Sequence, residues 1–237
     1  SFLERALTRR GTTNVIRFMM DELLPPIIRD SRIFMYPFFY LAYKGKNLPF
    51  YIDFKSRLPL LSERDLEKLY EDFDTIGTDR ETDLSQSCLD FIMQNTDKES
   101  ITLLDVGCGK GHFLKVASQL GYEVVGCDIL VDRNVLKSKY CAASVVDLPF
   151  KDKSFDIVTC HHTLEHVIDI GKSVSELKRV AKKQIIITVP CQRYFYYTLD
   201  LHVHFFMKRS SLINMFNLKH FLCKKISGDF VYFGFLA

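Results

Sequence analysis

The chain has no C-x-x-C pair among its seven cysteines, no apolar run near the roughly 20 residues of a membrane span, and little net charge. Each absence removes a class of protein. Without regularly spaced cysteines there is no frame for a disulfide scaffold or a zinc finger, so the thiols are expected to be reduced and the protein cytoplasmic. The missing apolar run argues against a spanning helix, and no signal-peptide pattern is expected. A net charge of only +3 supplies no bulk attraction to nucleic acid. Internal repeats and low-complexity segments are also missing. Among glycine-rich sites, a phosphate-binding P-loop is excluded because no Gly-Lys-Ser/Thr follows the glycines, and G-x-G-x-x-G is absent as well. What is present is 237 residues, 47% hydrophobic and 26% charged, enough for one large domain or a domain with an appendage.

The chain is organised around Ile101 to Phe113, I-T-L-L-D-V-G-C-G-K-G-H-F. A short apolar run ending in glycine suits a buried parallel strand. Gly107, Gly109 and Gly111 then allow a tight turn or close approach to a ligand, and a helical pattern opens at Lys110 with free N–H groups facing the turn. Asp105 stands two residues before the first glycine. A carboxylate there would repel a pyrophosphate and suit an ammonium or a hydroxyl.

These residues resemble motif I of the class I S-adenosylmethionine-dependent methyltransferases, apolar-apolar-Asp-x-Gly-x-Gly-x-Gly, matched by Leu103, Leu104, Asp105, Gly107, Gly109 and Gly111. The resemblance continues to about Ala237. It implies a doubly wound, mostly parallel α/β sheet of seven strands with the last antiparallel, and S-adenosylmethionine as cofactor. Asp128, ending the strand Tyr122 to Asp128, resembles the motif II acid that accepts the ribose hydroxyls, with Ile129 beside it. Asp147 and Leu148, after an expected strand Ala142 to Asp147, would hold the adenine, the carboxylate accepting from its amino group and the Leu148 N–H donating to a ring nitrogen. Cys108 lies within the glycine turn. His161, at the tip of the strand Phe155 to His161, would stand by the methionine part. Where the family often has apolar-Glu-His-apolar, this chain has Leu164, Glu165, His166 and Val167. The family usually closes the next helix, here Ser173 to Ala181, with Leu-Lys-Pro-Gly-Gly, and Ala181-Lys182-Lys183-Gln184 departs from that.

The chain therefore divides into an N-terminal, mainly helical cap or acceptor-recognition region, residues 1–99, and a cofactor domain, residues 100–237. Helices are expected at Glu4 to Leu24, at Ser62 to Phe73 behind an Ser62/Asp65 capping box, and at Asp83 to Gln94. The stretch from Arg29 to Arg57 carries six basic residues, two acids and many aromatics. It reads either as a cap packing its aromatics inward or as a surface for a sugar, a lipid-linked glycan or a membrane face. Tyr70, Thr78 and Arg80 are candidates to close over the cofactor. After the strand Ile185 to Pro190, the aromatic segment Cys191 to Phe206 falls where the family has acceptor contacts. A helix at Lys208 to Phe216 and a hairpin about Gly228-Asp229 complete the chain.

Methyl transfer is an in-line displacement, so positioning dominates the catalysis. An alcohol acceptor must also lose its proton, and a neutral histidine is the natural base at pH 7. His161, His162, His166, His202 and His204 form the pool, with His162 or His204 favoured. The His161, His162 and His166 cluster lacks the four-ligand spacing of a structural zinc site, and no metal is expected. These features point to O-methylation of a small molecule or a glycan. A methyltransferase acting on RNA or protein stays open, since the aromatic segment offers stacking faces, although Asn/Asp-Pro-Pro-Tyr/Phe is absent. So does a non-catalytic cofactor-binding module, against which the intact motif acids count.

Overall fold

The computed structural model of the chain describes residues 19–71, 81–130 and 139–236. The expected helix at Glu4 to Leu24 lies mostly outside these, as do Thr78 and Arg80. Seven strands form one sheet: β1 (Thr102–Val106), β2 (Glu123–Asp128), β3 (Tyr140–Ala142), β4 (Phe155–His161), β5 (Ala181–Pro190), β6 (His220–Ile226) and β7 (Asp229–Phe235). Their order is β3-β2-β1-β4-β5-β7-β6. The β1 to β5 pairs are parallel, while β7 runs antiparallel to both β5 and β6. This is the doubly wound, mostly parallel sheet that the motif order implied.

The central strands β1, β4 and the second half of β5 are largely apolar without alternation because both faces are covered. Neighbouring residues point to opposite sides. Leu104, Val158, Ile185 and Ile187 join Leu177, Leu212, Phe216 and Tyr232 in one core. Leu103, Ile157 and Ile186 join Leu89, Ile92, Leu114 and Phe233 in the other. The helix Gln86–Asn95, capped by Ser85 whose Oγ accepts the Cys88 N–H, belongs to this second core, and Phe91 meets Phe233 edge to face with ring centres 5.7 Å apart.

Three strand boundaries differ from the sequence reading. β3 stops at Ala142, so the apolar residues that follow it are not strand. β5 begins at Ala181 rather than Ile185. The β6–β7 register pairs Ile226 with Asp229, so the turn residues are Ser227 and Gly228, at φ 47° and 92°. Left-handed conformation at both central residues is what a two-residue hairpin of this twist requires, and Asp229 becomes the first residue of β7.

Two compact units are formed, residues 1–80 with 192–205, and residues 81–191 with 206–237. In the first, short helices at Pro26–Arg29, Arg32–Ala42, Leu48–Ile52, Phe54–Arg57 and Glu63–Glu71 hold the aromatic segment through its main chain. Tyr43 Oη donates to the Leu199 carbonyl at 2.6 Å, and Tyr70 Oη to Leu201 at 3.3 Å. Arg29 donates to the Tyr197 carbonyl, pairs with Asp21 at 3.1 Å and lies 4.6 Å over the Phe195 ring. The capping box forms: the Ser62 N–H reaches Asp65 Oδ2 at 2.9 Å, and the Asp65 N–H reaches Ser62 Oγ at 3.2 Å.

Candidate functional site

In a sheet of this order, the crevice over the carboxyl ends of β1, β2 and β4 is where ligands bind. The glycine turn after β1 is built there from three left-handed residues, with φ of 73° at Gly107, 47° at Gly109 and 72° at Gly111. The glycines serve different ends. A Cβ on Gly107 would sit 2.0 Å from Thr163 Oγ1, so this glycine is needed for the approach of the loop after β4. A Cβ on Gly109 would meet nothing within 4 Å, so the room above it faces open space. The Cys127 carbonyl accepts from both the Gly107 and Cys108 N–H groups and ties the turn to β2. Cys108 is turned inward: its Sγ fills the space left by Gly126. Burial, then the nearby Asp105 and Asp128, push its thiol far above the usual range.

Two carboxylates flank the turn. Asp105 is buried, and its Oδ1 accepts from Thr159 Oγ1 at 2.7 Å. Burial pushes its carboxyl up to about 7, the Thr159 hydroxyl opposes, and the charge of Asp128 adds to the rise. Asp128 accepts the Gly109 N–H on Oδ2 at 2.7 Å and the Leu130 N–H on Oδ1 at 2.9 Å. Burial raises it too, against its N–H donors, which include Ile129. Asp105, Gly107, Gly109 and Asp128 are thus brought together.

Asp147 and Leu148 take another place. Asp147 is exposed, and the Leu148 N–H donates to Glu176 Oε2 at 2.8 Å in a network closed by Arg179. That amide is committed within the protein, which corrects the expectation that it meets an adenine. The residues following β3 directly are Ala143, whose N–H donates to the Asp128 carbonyl, and Ser144.

The end of β4 holds two histidines in opposite states. His161 is buried, with Nδ1 2.9 Å from Thr188 Oγ1 and its ring against Phe113, centres 4.5 Å apart. Burial, with the neighbouring His162, drives it down to about 3, so the ring is neutral. Its buried Nε2 has no hydrogen-bond partner among the described residues. His162 adopts φ 51°, and its N–H donates to the Thr188 carbonyl. Its Nδ1 lies 3.3 Å from Glu165 Oε1 and its Nε2 lies 3.5 Å from Asp229 Oδ2, both carboxylates being buried. Burial alone would depress this imidazole, but Asp229 and Glu165 outweigh it and hold it at about 9. Set between two buried carboxylates, this imidazole is held in its protonated form, which runs against the base role expected for His162. His204 lies in the other compact unit.

Sequence reasoning missed Thr159, Glu176, Thr188 and Asp229. Only Glu165, three residues after His162, gave a local signal as a salt-bridge partner.

Residues 104–188, which contain this turn, both flanking acids and the two histidines, match the family described as a methyltransferase domain. Over those residues the chain is similar to methyltransferases. An uncharacterized protein of Methanocaldococcus jannaschii is 35% identical over 99 residues, 39% of this chain and 43% of that protein. The ubiquinone biosynthesis O-methyltransferase of Pelagibacter ubique is 34% identical over 112 residues, 42% of this chain and 46% of that one. Among solved structures, a methyltransferase from Bacillus halodurans superposes with a TM-score of 0.50 at 25% identity, covering 57% of this chain and 71% of that one. The chain spans less than half the length of the curated relatives it matches.

Class I methyltransferases take S-adenosylmethionine, and the residues present fit it. The space over Gly109 admits close approach to the backbone, and Asp128 offers a carboxylate for a ribose diol. Asp105, buried with a raised carboxyl, gains most from the arrival of a cation. When bound, the cofactor supplies an electrophilic methyl carbon.

Proposed function

We propose that the protein transfers a methyl group from S-adenosylmethionine to a hydroxyl of a small molecule, an aromatic or lipid-soluble acceptor being preferred over a glycan. The observation that carries the reading is the crevice over Gly109, open above and flanked by the two desolvated carboxylates Asp105 and Asp128. The relative from Pelagibacter ubique, named for O-methylation in ubiquinone biosynthesis, supports an oxygen acceptor on a lipophilic ring. Within this reading the chain's own groups act by placement. Asp128 and the glycine turn hold the nucleoside, and Asp105 stabilises positive charge once its proton has left.

Calorimetric titration with S-adenosylmethionine and its demethylated product tests the binding half. Asp128→Ala is expected to weaken binding by ~1–3 kcal/mol through lost charge-assisted hydrogen bonds. Labelled-methyl transfer to pooled hydroxylated rings, set beside nucleotide sugars and short glycans, tests the acceptor. A wild-type protein that holds neither nucleoside overturns the proposal, as does transfer confined to nitrogen or to sugars.

A further inference from the structure

Lys55, on the short helix Phe54–Arg57, sits in a different setting from the lysines of the sheet. Lys182 and Lys183 each hold their ammonium 3.7 Å from Asp156 Oδ1. Lys55 has no carboxylate partner among the described residues, and its one hydrogen-bond acceptor is the main-chain carbonyl of His202. Aromatic rings make up the rest of its surroundings. Its Nζ lies 4.3 Å from the centre of the Phe205 ring, 5.7 Å from Phe54 and 5.8 Å from Tyr194. Tyr194 and Phe205 meet edge to face 5.1 Å apart, so they make one apolar wall beside the amine. All these groups belong to one compact unit.

This setting works against the charged form. An ammonium drawn out of water loses hydration that rings and a single carbonyl replace only in part, and no counter-charge restores it. Cation–π attraction at a partly exposed site holds the proton by a factor of about two to five. The lost hydration outweighs it, and burial lowers the Lys55 amine to about 8. Near pH 7.5 about a quarter of the side chains then carry a free lone pair, against about one in a thousand for an ordinary lysine. The amine is also within reach: Lys55 and Phe205 are only partly covered, and Tyr194 is 54% exposed. A lysine desolvated among apolar groups is a nucleophile in waiting.

We infer that Lys55 is a modification site, acylated on Nζ by thioesters whose acyl part is apolar enough to lie against Phe205 and Tyr194. The nitrogen lone pair attacks the thioester carbonyl carbon and the C–N bond forms. The C–S bond breaks, and the leaving thiolate takes up the proton that the nitrogen sheds. The product is a neutral amide. It keeps one N–H for the His202 carbonyl and loses the cation–π contact with Phe205, so acylation alters one tie on the segment 192–205. The modification is read without a methyl donor, so it stands or falls apart from the proposed activity.

The test treats the whole chain briefly with the acetyl and benzoyl thioesters of N-acetylcysteamine, from about pH 6 to about pH 10, and reads each lysine by peptide mass spectrometry. Lys224, exposed over the single Phe91 ring at 5.3 Å, is the reference for a cation–π contact without burial. A less basic amine is a weaker nucleophile, as with thiols, so the net advantage expected for Lys55 at pH 7.5 is about tenfold. Its rate is expected to level off above about pH 8, and its preference for benzoyl over acetyl to exceed that of Lys224. Tyr194→Glu, at an exposed site, supplies the missing carboxylate and should slow Lys55 labelling at pH 7.5 several-fold, with circular dichroism as the folding control. Any one of four outcomes overturns the inference: labelling of Lys55 no faster than Lys224 at pH 7.5, a rate that climbs unbroken to pH 10, a benzoyl preference no greater than that of Lys224, or the wild-type rate in folded Tyr194→Glu protein.

Discussion

Two halves of the same crevice handle buried carboxylates in opposite ways. Beside β1 and β2, Asp105 and Asp128 are desolvated with neutral donors and no cation among the described residues, and both rise above the usual range. Beside β4 and β7, Glu165 and Asp229 are as deeply buried, but His162 stands between them and keeps its proton to about 9. The second half is electrically furnished by the chain itself. Among the described residues the first half is short of one positive charge, which a sulfonium or an ammonium would bring. Burial alone therefore does not mark a ligand-binding acid, whereas burial without an internal counter-charge does.

The largest expected effect breaks the furnished half. His162→Ala leaves Glu165 and Asp229 without their cation and should cost about 3–5 kcal/mol in urea unfolding. The pH profile carries the same signature. The folded value of His162 lies above its unfolded 6.5, so its contribution is complete below pH 6.5 and is lost as pH rises through about 9. That alkaline slope should be absent in the variant. An unchanged slope would mean that His162 is not the proton carrier.

A smaller effect separates the glycines. Gly107→Ala adds left-handed strain to a clash with Thr163 and should destabilise by about 2–4 kcal/mol. Gly109→Ala carries strain alone, about 1 kcal/mol, and should show chiefly in cofactor affinity. Equal losses of stability would show that the space over Gly109 is not open.

The smallest effect is a gain. Asp105 has its folded value, about 7, above its unfolded one, so the folded state keeps a proton that the unfolded state has released between about pH 4 and 7. Stability falls across that window and stays lower above it. Asp105→Asn should then stabilise the ligand-free protein by about 1–2 kcal/mol at pH 8 and by nothing near pH 4, while weakening cofactor binding. A loss of stability at pH 8 would place a cation near Asp105 already.

Local pattern carried the sequence reading where partners were near in the chain. β4 was legible from Phe155 to His161, and the glycine turn, Asp105 and Asp128 were legible from the motif. β3 was set too late because Ala143 to Val146 reads as strand by composition, yet pairing with β2 ends at Ala142. The ionic setting of His162 was hidden for a longer-range reason. Nothing near His162 announces Asp229, which reaches it through two sheet pairings and a turn. The Leu148 amide was misread likewise, since Glu176 lies a helix away on the chain.

The Ser227-Gly228 turn has a reach beyond its own hairpin. Side chains on β7 alternate between the two faces, so one extra residue in that turn would swing Asp229 to the opposite face and hand its place to an aliphatic or aromatic neighbour. The closing hairpin thus acts as a ruler for the ionic state of a histidine more than sixty positions upstream. Its length is held fixed by electrostatics, whereas the segment 192–205 is tethered through its own carbonyls.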